Sequence, residues 1–441
     1  MINCFIPFLS LPQARQTVRA LGLCDRIKNI YLLATEKIPD EVEGCEMLMI
    51  DSPASTATFR TIALHADTAY TLLYTKYTAF EPGQFAFERL LAIAGDTNAG
   101  MLYADRYLLK NGNSQQAPVI DYQKGSLRDD FDFGSLLFFR SSVLKQAVRA
   151  MDADYRFAGL YDLRLRVSEL AELVHVNEYL YSEVETDIRK SGEKLFDYVD
   201  PKNRAVQIEM EAVCTAYLKR VGGYLAPDFE PVTFDAGGFE QEASVIIPVR
   251  NRIRTIEDAI RSVLAQKTTF RFNLIIVDNH STDGTSEAIG KYTADGRVVH
   301  LVPERSDLGI GGCWNVGVHH PACGKFAVQL DSDDVYSGPD TLQKIVDAFY
   351  EQNCAMVVGT YRMTDFKMNE IPPGIIDHRE WTLENGRNNA LRINGLGAPR
   401  AFYTPVLRRI NLPNTSYGED YALGLRISRT WRIGRIYDVL Y

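Results

Sequence analysis

The residues best suited to chemistry are three groups of carboxylates in the C-terminal half of the sequence. Asp278 closes the apolar run Leu274-Ile-Ile-Val277. Asp331-Ser-Asp333-Asp334 follows Phe326-Ala-Val-Gln-Leu330, and Glu419-Asp420 sits in Tyr417-Gly-Glu-Asp, just before a helical pattern that begins near Tyr421. Carboxylate oxygens are the hard ligands that Mg²⁺ or Mn²⁺ takes, one or two from the protein with phosphate oxygens completing the shell. Such a cation offsets the charge that a diphosphate leaving group develops. A further carboxylate can take the proton of an attacking hydroxyl. Asp420 is the candidate base, a role worth roughly 10²–10⁴-fold in rate. Taken singly, each group has a second reading. Asp-Ser-Asp-Asp is also a solvated turn or a helix cap through Asp334 or Ser337. Asp278 with Asn279, Ser281 and Asp283 also serves as loop and capping chemistry, and Glu419-Asp420 is also a capping pair. Their joint order after successive strands is what favours one site.

The elements that must position these acids follow from periodicity. Ala243-Ser-Val-Ile-Ile-Pro248 reads as a strand. Residues 255–266 read as a helix, with Ile256, Ala259, Ile260, Val263 and Leu264 at helical spacing. A second strand covers 273–277, and the turn-rich Asp278-Asn-His-Ser-Thr-Asp-Gly284 leads into another helix. Strands alternating with helices predict an α/β fold with a mostly parallel central sheet. In such sheets ligands bind beyond the carboxyl ends of the strands, so acids at strand ends converge on one crevice.

The same pattern is written twice. Phe5-Ile-Pro7 parallels Ile246-Ile-Pro248, and Asn29-Ile-Tyr-Leu-Leu33 parallels Asn273-Leu-Ile-Ile-Val277. The segment from Glu81 to Leu91 parallels the one from Gly338 to Val346. Tyr161-Asp-Leu-Arg-Leu-Arg-Val-Ser168 parallels Tyr421-Ala-Leu-Gly-Leu-Arg-Ile-Ser428 at an offset of 260, which Leu180-Tyr181 and Leu440-Tyr441 keep. An internal duplication accounts for these pairs. It predicts a first copy over 1–185, a helical segment and linker over 186–240, and a second copy over 241–441. Past Tyr181, the match of Tyr441, the first half continues for some forty residues through the helical segment, so the second copy is expected to be truncated at its C-terminus. Traced into the first copy, Asp278 becomes Ala34, Asp331–Asp334 become Tyr74-Thr-Lys-Tyr77, and Glu419-Asp420 become Gly159-Leu160. Every trade removes negative charge, and Lys76 would oppose a cation there. The first copy is therefore expected to keep the fold without this catalysis. Two other readings of Lys76 stand: a contact to a diphosphate without metal, or a surface lysine.

Composition bounds the answer. A chain of 441 residues predicts two or three domains. With 46% hydrophobic and 24% charged residues, most of it is expected to be globular. A net charge of -9 argues against nucleic acid as a partner. The seven cysteines show no metal-binding spacing and read as reduced thiols. The apolar runs are far short of the ~20 residues of a membrane span. The start, Met1-Ile-Asn-Cys-Phe-Ile-Pro, lacks the pattern of a signal peptide. A cytoplasmic location is expected, with peripheral association at the inner face of a membrane as a variant.

Five segments together resemble family 2 glycosyltransferases of the GT-A fold. They are Val245-Ile-Ile-Pro-Val-Arg-Asn251, Ile276-Val-Asp-Asn-His-Ser-Thr-Asp-Gly-Thr285, Gly309–Gly317 around Trp314-Asn315, Leu330-Asp-Ser-Asp-Asp334 and Gly418-Glu-Asp420. The resemblance implies two tandem GT-A-like domains, the second catalytic and the first degenerate. It implies inverting transfer of a sugar, of the hexosyl type, from a nucleotide-sugar donor, with UDP-sugars favoured. The acceptor would be a saccharide or lipid-linked saccharide in polysaccharide biosynthesis. Pro248, Val249 and Arg250 would lie beside the nucleotide base, and Asp278 would accept a hydrogen bond from it. Asp331, Gly311 and Asn315 would contact the donor, and the Gly-rich stretch permits close backbone approach. Asp333 and Asp334 would hold Mg²⁺ or Mn²⁺. Asp420 would be the base with Glu419 near the acceptor, and Gly397, Ala398 and Arg400 would line the pocket for donor sugar and acceptor. Relatives often carry a late His or other polar group near the metal, which would fall beyond Tyr441. Two rival readings are a non-catalytic carbohydrate- or protein-binding scaffold and a sugar nucleotidyltransferase. Against the latter, neither half shows a Gly-rich phosphate loop with a basic residue after its first strand.

Overall fold

The computed structural model describes residues 1–37, 41–110, 112–184, 203–235 and 237–441. The linker expected at 186–240 lies outside the described residues at 186–202 and at 236. The described residues fall into two compact units that meet in sequence between Gly223 and Tyr224.

The first unit is built on strands β1 (Ile2–Pro7), β2 (Ile27–Ala34), β3 (Glu46–Met49), β4 (Tyr70–Tyr74), β5 (Phe80–Pro82), β6 (Met101–Lys110), β7 (Asn113–Ala117), β8 (Leu136–Arg140) and β9 (Leu173–Val184). They form one sheet of order β3-β2-β1-β4-β8-β6-β9-β5, with β7 paired to β6. Helix Arg204–Arg220, expected in the linker, buries Val213, Cys214, Tyr217 and Leu218 and belongs to this unit. Its Glu209 accepts from the amides of Phe157 and Ala158, at 2.7 and 3.1 Å.

The second unit has β10 (Ala243–Val249), β11 (Phe272–Asp278), β12 (Val298–Leu301), β13 (Phe326–Gln329), β14 (Met356–Thr364), β15 (Glu370–Ile376), β16 (Arg400–Tyr403) and β17 (Ile433–Val439). The order is β12-β11-β10-β13-β16-β14-β15, with β17 paired to β14. The β-branched runs Val245-Ile-Ile247 and Ile275-Ile-Val277 are wholly buried, as strands covered by helices on both faces require. Helix Ile256–Leu264 turns Ile256, Ala259, Ile260 and Val263 inward, and carries Glu257 and Asp258 in its first turn, where acids suit the helix dipole.

Eight strands of the first sheet correspond to the eight of the second, and β5 is the extra one. β1 is parallel to β2 and β4, as β10 is to β11 and β13. β8 and β16 then insert antiparallel beside β4 and β13. β6 and β14 each carry an antiparallel hairpin partner, β7 or β15, and a parallel last strand, β9 or β17. The α/β expectation holds: the first four strands of each sheet pair with one another in parallel, and the later strands mix antiparallel and parallel pairs.

Strand register corrects the trace of the acids into the first unit. Phe5 pairs with Leu73 and its counterpart Ile246 pairs with Gln329, so Leu73 matches Gln329. Asp331 then corresponds to Thr75 rather than Tyr74, Asp333 to Tyr77, and Lys76 to Ser332. A plain apolar run carries no landmark that distinguishes a one-residue slip, whereas the hydrogen-bonded ladder does. Nor does Lys76 stand open for a ligand. Its ammonium binds Glu183, a fully buried carboxylate that also accepts from Arg106 Nε at 3.0 Å. The removal of negative charge stands in either register. The counterpart of Arg400 follows in the same way. Leu72 pairs with Phe138 and Val328 with Ala401, which places Leu137 opposite Arg400.

Candidate active site

A cleft of about 310 Å³ opens in the second unit at the carboxyl ends of β10 and β13. Its lining includes Pro248, Arg252, Asp331, Asp333, Arg400, Glu419 and Asp420. Five of these seven are charged residues that come from three distant stretches of the chain besides the β10 loop. β13 ends at Gln329, so the chain leaves the sheet at Leu330 and Asp331 emerges at the strand end. The 418–420 segment arrives from the far side. Gly418 adopts φ 77°, a left-handed conformation that glycine accepts without strain, and starts helix Glu419–Ser428 with both acids in its first turn.

Hydrogen bonds join the two acidic arms. Asp420 Oδ2 lies 2.5 Å from Arg400 Nη1, and Arg400 Nε donates to Gln329 Oε1 at 2.8 Å. Gln329 Nε2 in turn donates to Asp331 Oδ1 at 2.9 Å. Arg400 is fixed further by donating to the Leu396 carbonyl at 3.0 Å, and Asp420 Oδ1 accepts the Tyr421 amide at 2.6 Å. Asp333 is the open member: its side chain is 45% exposed, with Arg252 Nε 3.5 Å away.

The acids raise one another's proton affinity. Burial pushes the Asp334 carboxyl up to about 7, with the charges of Asp331 and Asp333 adding. Burial likewise raises Asp331, with Asp333 and Asp420 adding and Gln329 and Arg400 opposing. Glu419 is raised chiefly by burial, with Asp420 and Asp331 contributing and Arg400 opposing. Its Oε2 is buried without a hydrogen-bond partner. An all-oxygen donor set under mutual repulsion, with an orphaned carboxylate oxygen beside it, fits a divalent cation. No closed protein cage is formed. Among the described residues, the three-group set with ligand atoms within 4.8 Å of one another is Cys24, Asp25 and Glu88 in the first unit.

Several residues expected at the donor or acceptor lie outside the lining of this cleft. Asp278 is fully buried at the end of β11 and does not line the cleft. It accepts from the Ser281 amide at 3.0 Å and from the Ser286 hydroxyl, with His300 Nε2 3.5 Å away, so it organises the 278–286 loop. Burial works to raise its pKa, yet these hydrogen bonds hold the carboxyl below its usual range. Val249 is buried and offers its carbonyl to Asn279, while Arg250 points to solvent; Arg252, two residues on, is the arginine that reaches the cleft. Gly311 is a packing glycine, since a Cβ there would meet the Pro413 carbonyl oxygen at 1.9 Å. Asn315 clamps the same loop, donating to the Leu412 carbonyl at 2.8 Å and accepting its amide at 2.9 Å. Gly397 exists because His378 lies 2.4 Å from where its Cβ would be, and Ala398 packs on the core. Asp334 is half-buried behind the lining. Gln329 was missed because a glutamine inside an apolar strand reads as a sheet residue. Its signal is burial at the last position before the acids.

An α/β unit whose acids gather at the carboxyl ends of its parallel strands has the layout of a nucleotide-sugar-binding transferase. Comparison points the same way: residues 244–409 of the second unit match the family model Glycosyl transferase family 2. An uncharacterized glycosyltransferase of Rickettsia felis (strain ATCC VR-1525 / URRWXCal2) is 30% identical over 200 residues, covering 45% of this chain and 32% of the relative. The putative teichuronic acid biosynthesis glycosyltransferase TuaG of Bacillus subtilis (strain 168) is 33% identical over 120 residues, covering 27% of this chain and 46% of the relative. The chain thus spans less than half the length of these curated relatives. Among solved structures, S. aureus TarS 1-349 is 23% identical with a TM-score of 0.38, covering 45% of this chain and 59% of that one. Mannosyltransferase PcManGT from Pyrobaculum calidifontis, in complex with GDP-Man and Mn²⁺, is 19% identical with a TM-score of 0.36, covering 56% and 67%. No helix among the described residues is long and apolar enough to cross a membrane.

Proposed function

We propose that the second unit is a metal-dependent, inverting glycosyltransferase that moves a hexosyl group from a nucleotide-sugar donor, UDP-sugars being favoured, to a hydroxyl of a glycan or lipid-linked acceptor. The observation that carries this reading is the convergence of Asp331, Asp333, Glu419 and Asp420 on one cleft, with Arg400 and Gln329 bridging its two acidic arms. Asp333 would be the principal metal ligand and Asp331 the second. Asp334, half-buried and outside the cleft lining, is the weaker candidate. A cation held there supplies charge compensation for the departing nucleoside diphosphate.

The chain's own residues do the rest. Pro248 and Arg252 flank the donor end of the cleft. Glu419 faces the acceptor. Arg400 and the Tyr421 amide fix the Asp420 carboxylate, so that it meets the acceptor hydroxyl in one orientation. The acceptor oxygen attacks the anomeric carbon as the bond to the diphosphate breaks, and the proton passes to Asp420. A single displacement inverts the anomeric configuration. The name of the Bacillus subtilis relative supports a surface polysaccharide as the kind of product.

The test is transfer from radiolabelled UDP-sugars with Mn²⁺ or Mg²⁺, comparing the unaltered chain with Asp333→Ala. Metal-stimulated turnover that the substitution abolishes supports the reading, and unchanged turnover removes the metal role.

A further inference from the structure

The first unit keeps a cleft where its sheet corresponds to the catalytic one, and its lining has been rewritten. This cavity, about 470 Å³, is bordered by Thr75, Leu137, Phe139 and Leu160. These are the counterparts of Asp331, Arg400, Phe402 and Asp420, all of which line the cleft of the second unit. At Gln329 the first unit has Leu73. The linked polar side chains of the transferase cleft are thus replaced by apolar ones and a threonine, yet the hollow persists. A disused site under no demand would be free to fill in, since cavities cost stability.

We propose that this cleft is a binding site for the pyranose rings of a neutral saccharide. Its walls supply both halves of sugar recognition. Phe131, half-buried at the cleft and backed by the buried Phe133 ring 4.4 Å away, supplies an apolar surface for the C–H face of a sugar ring. Beside them Asp130 and Asp132 remain 62% and 59% exposed after pairing with Arg128 and Arg106, and so keep acceptor capacity for sugar hydroxyls.

The same residues disfavour a nucleotide sugar. Asp129, Asp130 and Asp132 edge the cleft with negative charge, which repels a diphosphate. Its arginine, Arg164, is already committed to the Ser126 and Arg128 carbonyls at 3.3 and 3.2 Å and lies over the Phe133 and Tyr161 rings. This inference rests on the first unit alone and stands whether or not the second unit transfers sugar.

The experiment is saturation-transfer NMR and calorimetry on the full chain with maltotetraose, cellotetraose and N-acetylchitotetraose, each with and without UDP and Mn²⁺. At least one tetraose is expected to bind. Its affinity should fall about tenfold or more in Ala54→Trp, which fills the half-buried rim, and in Phe131→Ala, which removes a stacking face. Binding should persist in Asp333→Ala and in the presence of UDP. Melting curves of both cleft variants check folding, and Ala54→Trp decides the matter if Phe131→Ala is unstable. The proposal is overturned if none of the three binds, if Ala54→Trp binds as well as the unaltered chain, or if UDP or Asp333→Ala abolishes binding. Capture of UDP by the first unit would overturn it too.

Discussion

Four polar residues of the cleft in the second unit are held by one another in a way that the sequence does not announce. Asp420 lies against Arg400, Arg400 against Gln329, and Gln329 against Asp331. A base fixed in this way should be catalytic without being structural. Asp420→Asn is expected to lower kcat by roughly 10²–10⁴-fold, with donor affinity and melting temperature little changed. A steady-state assay beside a thermal melt checks this. His378 gives a prediction of the opposite kind. It is buried at 3% exposure with neither ring nitrogen hydrogen-bonded. Burial, with Arg435 and Arg400 adding, pushes its pKa down to about 3. Below the ordinary value of 6.5 the unfolded chain takes up a proton that the folded chain refuses. Stability should therefore fall as pH drops from about 6.5 toward about 3, on the order of a few kcal/mol in all. His378→Phe should flatten that part of the curve in urea titrations run at several pH values. An unchanged slope would show that the imidazole is not held neutral.

At the scale of elements, the 411–420 segment is what brings the proposed base to the proposed metal ligands, and helix Ile310–His319 is what holds that segment. Asn315 binds both the amide and the carbonyl of Leu412, and the missing Cβ of Gly311 admits the Pro413 carbonyl. Asn315→Leu leaves a backbone amide and carbonyl without their partner, which should cost about 2 kcal/mol. It should also lower kcat/KM although the residue is not part of the cleft lining. Chemical denaturation and kinetics on the same sample test both effects. Full activity would detach the loop from catalysis. Much of this architecture was legible in the residues: the apolar runs before Asp278 and Asp331, the helix after Glu419, and the 260-residue offset between Tyr161 and Tyr421 all point to strand ends and repeated elements. Other features depend on side chains meeting across the fold. Gly311 and Asn315 looked like ligand contacts because glycine and asparagine in a loop serve packing and binding alike. Asp278 stands at a strand end as its sequence position suggests, and only the fold shows its bonds to Ser281 and Ser286. The register of Thr75 against Asp331 was off by one for want of a landmark in an apolar run.

For the whole molecule, two units share one sheet plan and differ in charge at the corresponding cleft. Asp331, Arg400 and Asp420 of one are replaced by Thr75, Leu137 and Leu160 in the other, whose own acids, Asp129, Asp130 and Asp132, stand elsewhere on its edge. Ligand linkage should therefore be one-sided. A UDP-sugar with Mn²⁺ should raise the melting temperature by mass action, through the second unit alone. Substitution of Lys76 should leave that shift intact, because its ammonium is spent on Glu183. The measurement that bears most directly on the central claim is isothermal titration of UDP-sugar into the full chain, with and without Mn²⁺, for the unaltered protein and for Asp333→Ala. Metal-dependent binding that the substitution removes is the predicted result. Binding of equal strength in both proteins, or binding indifferent to the metal, would contradict the account.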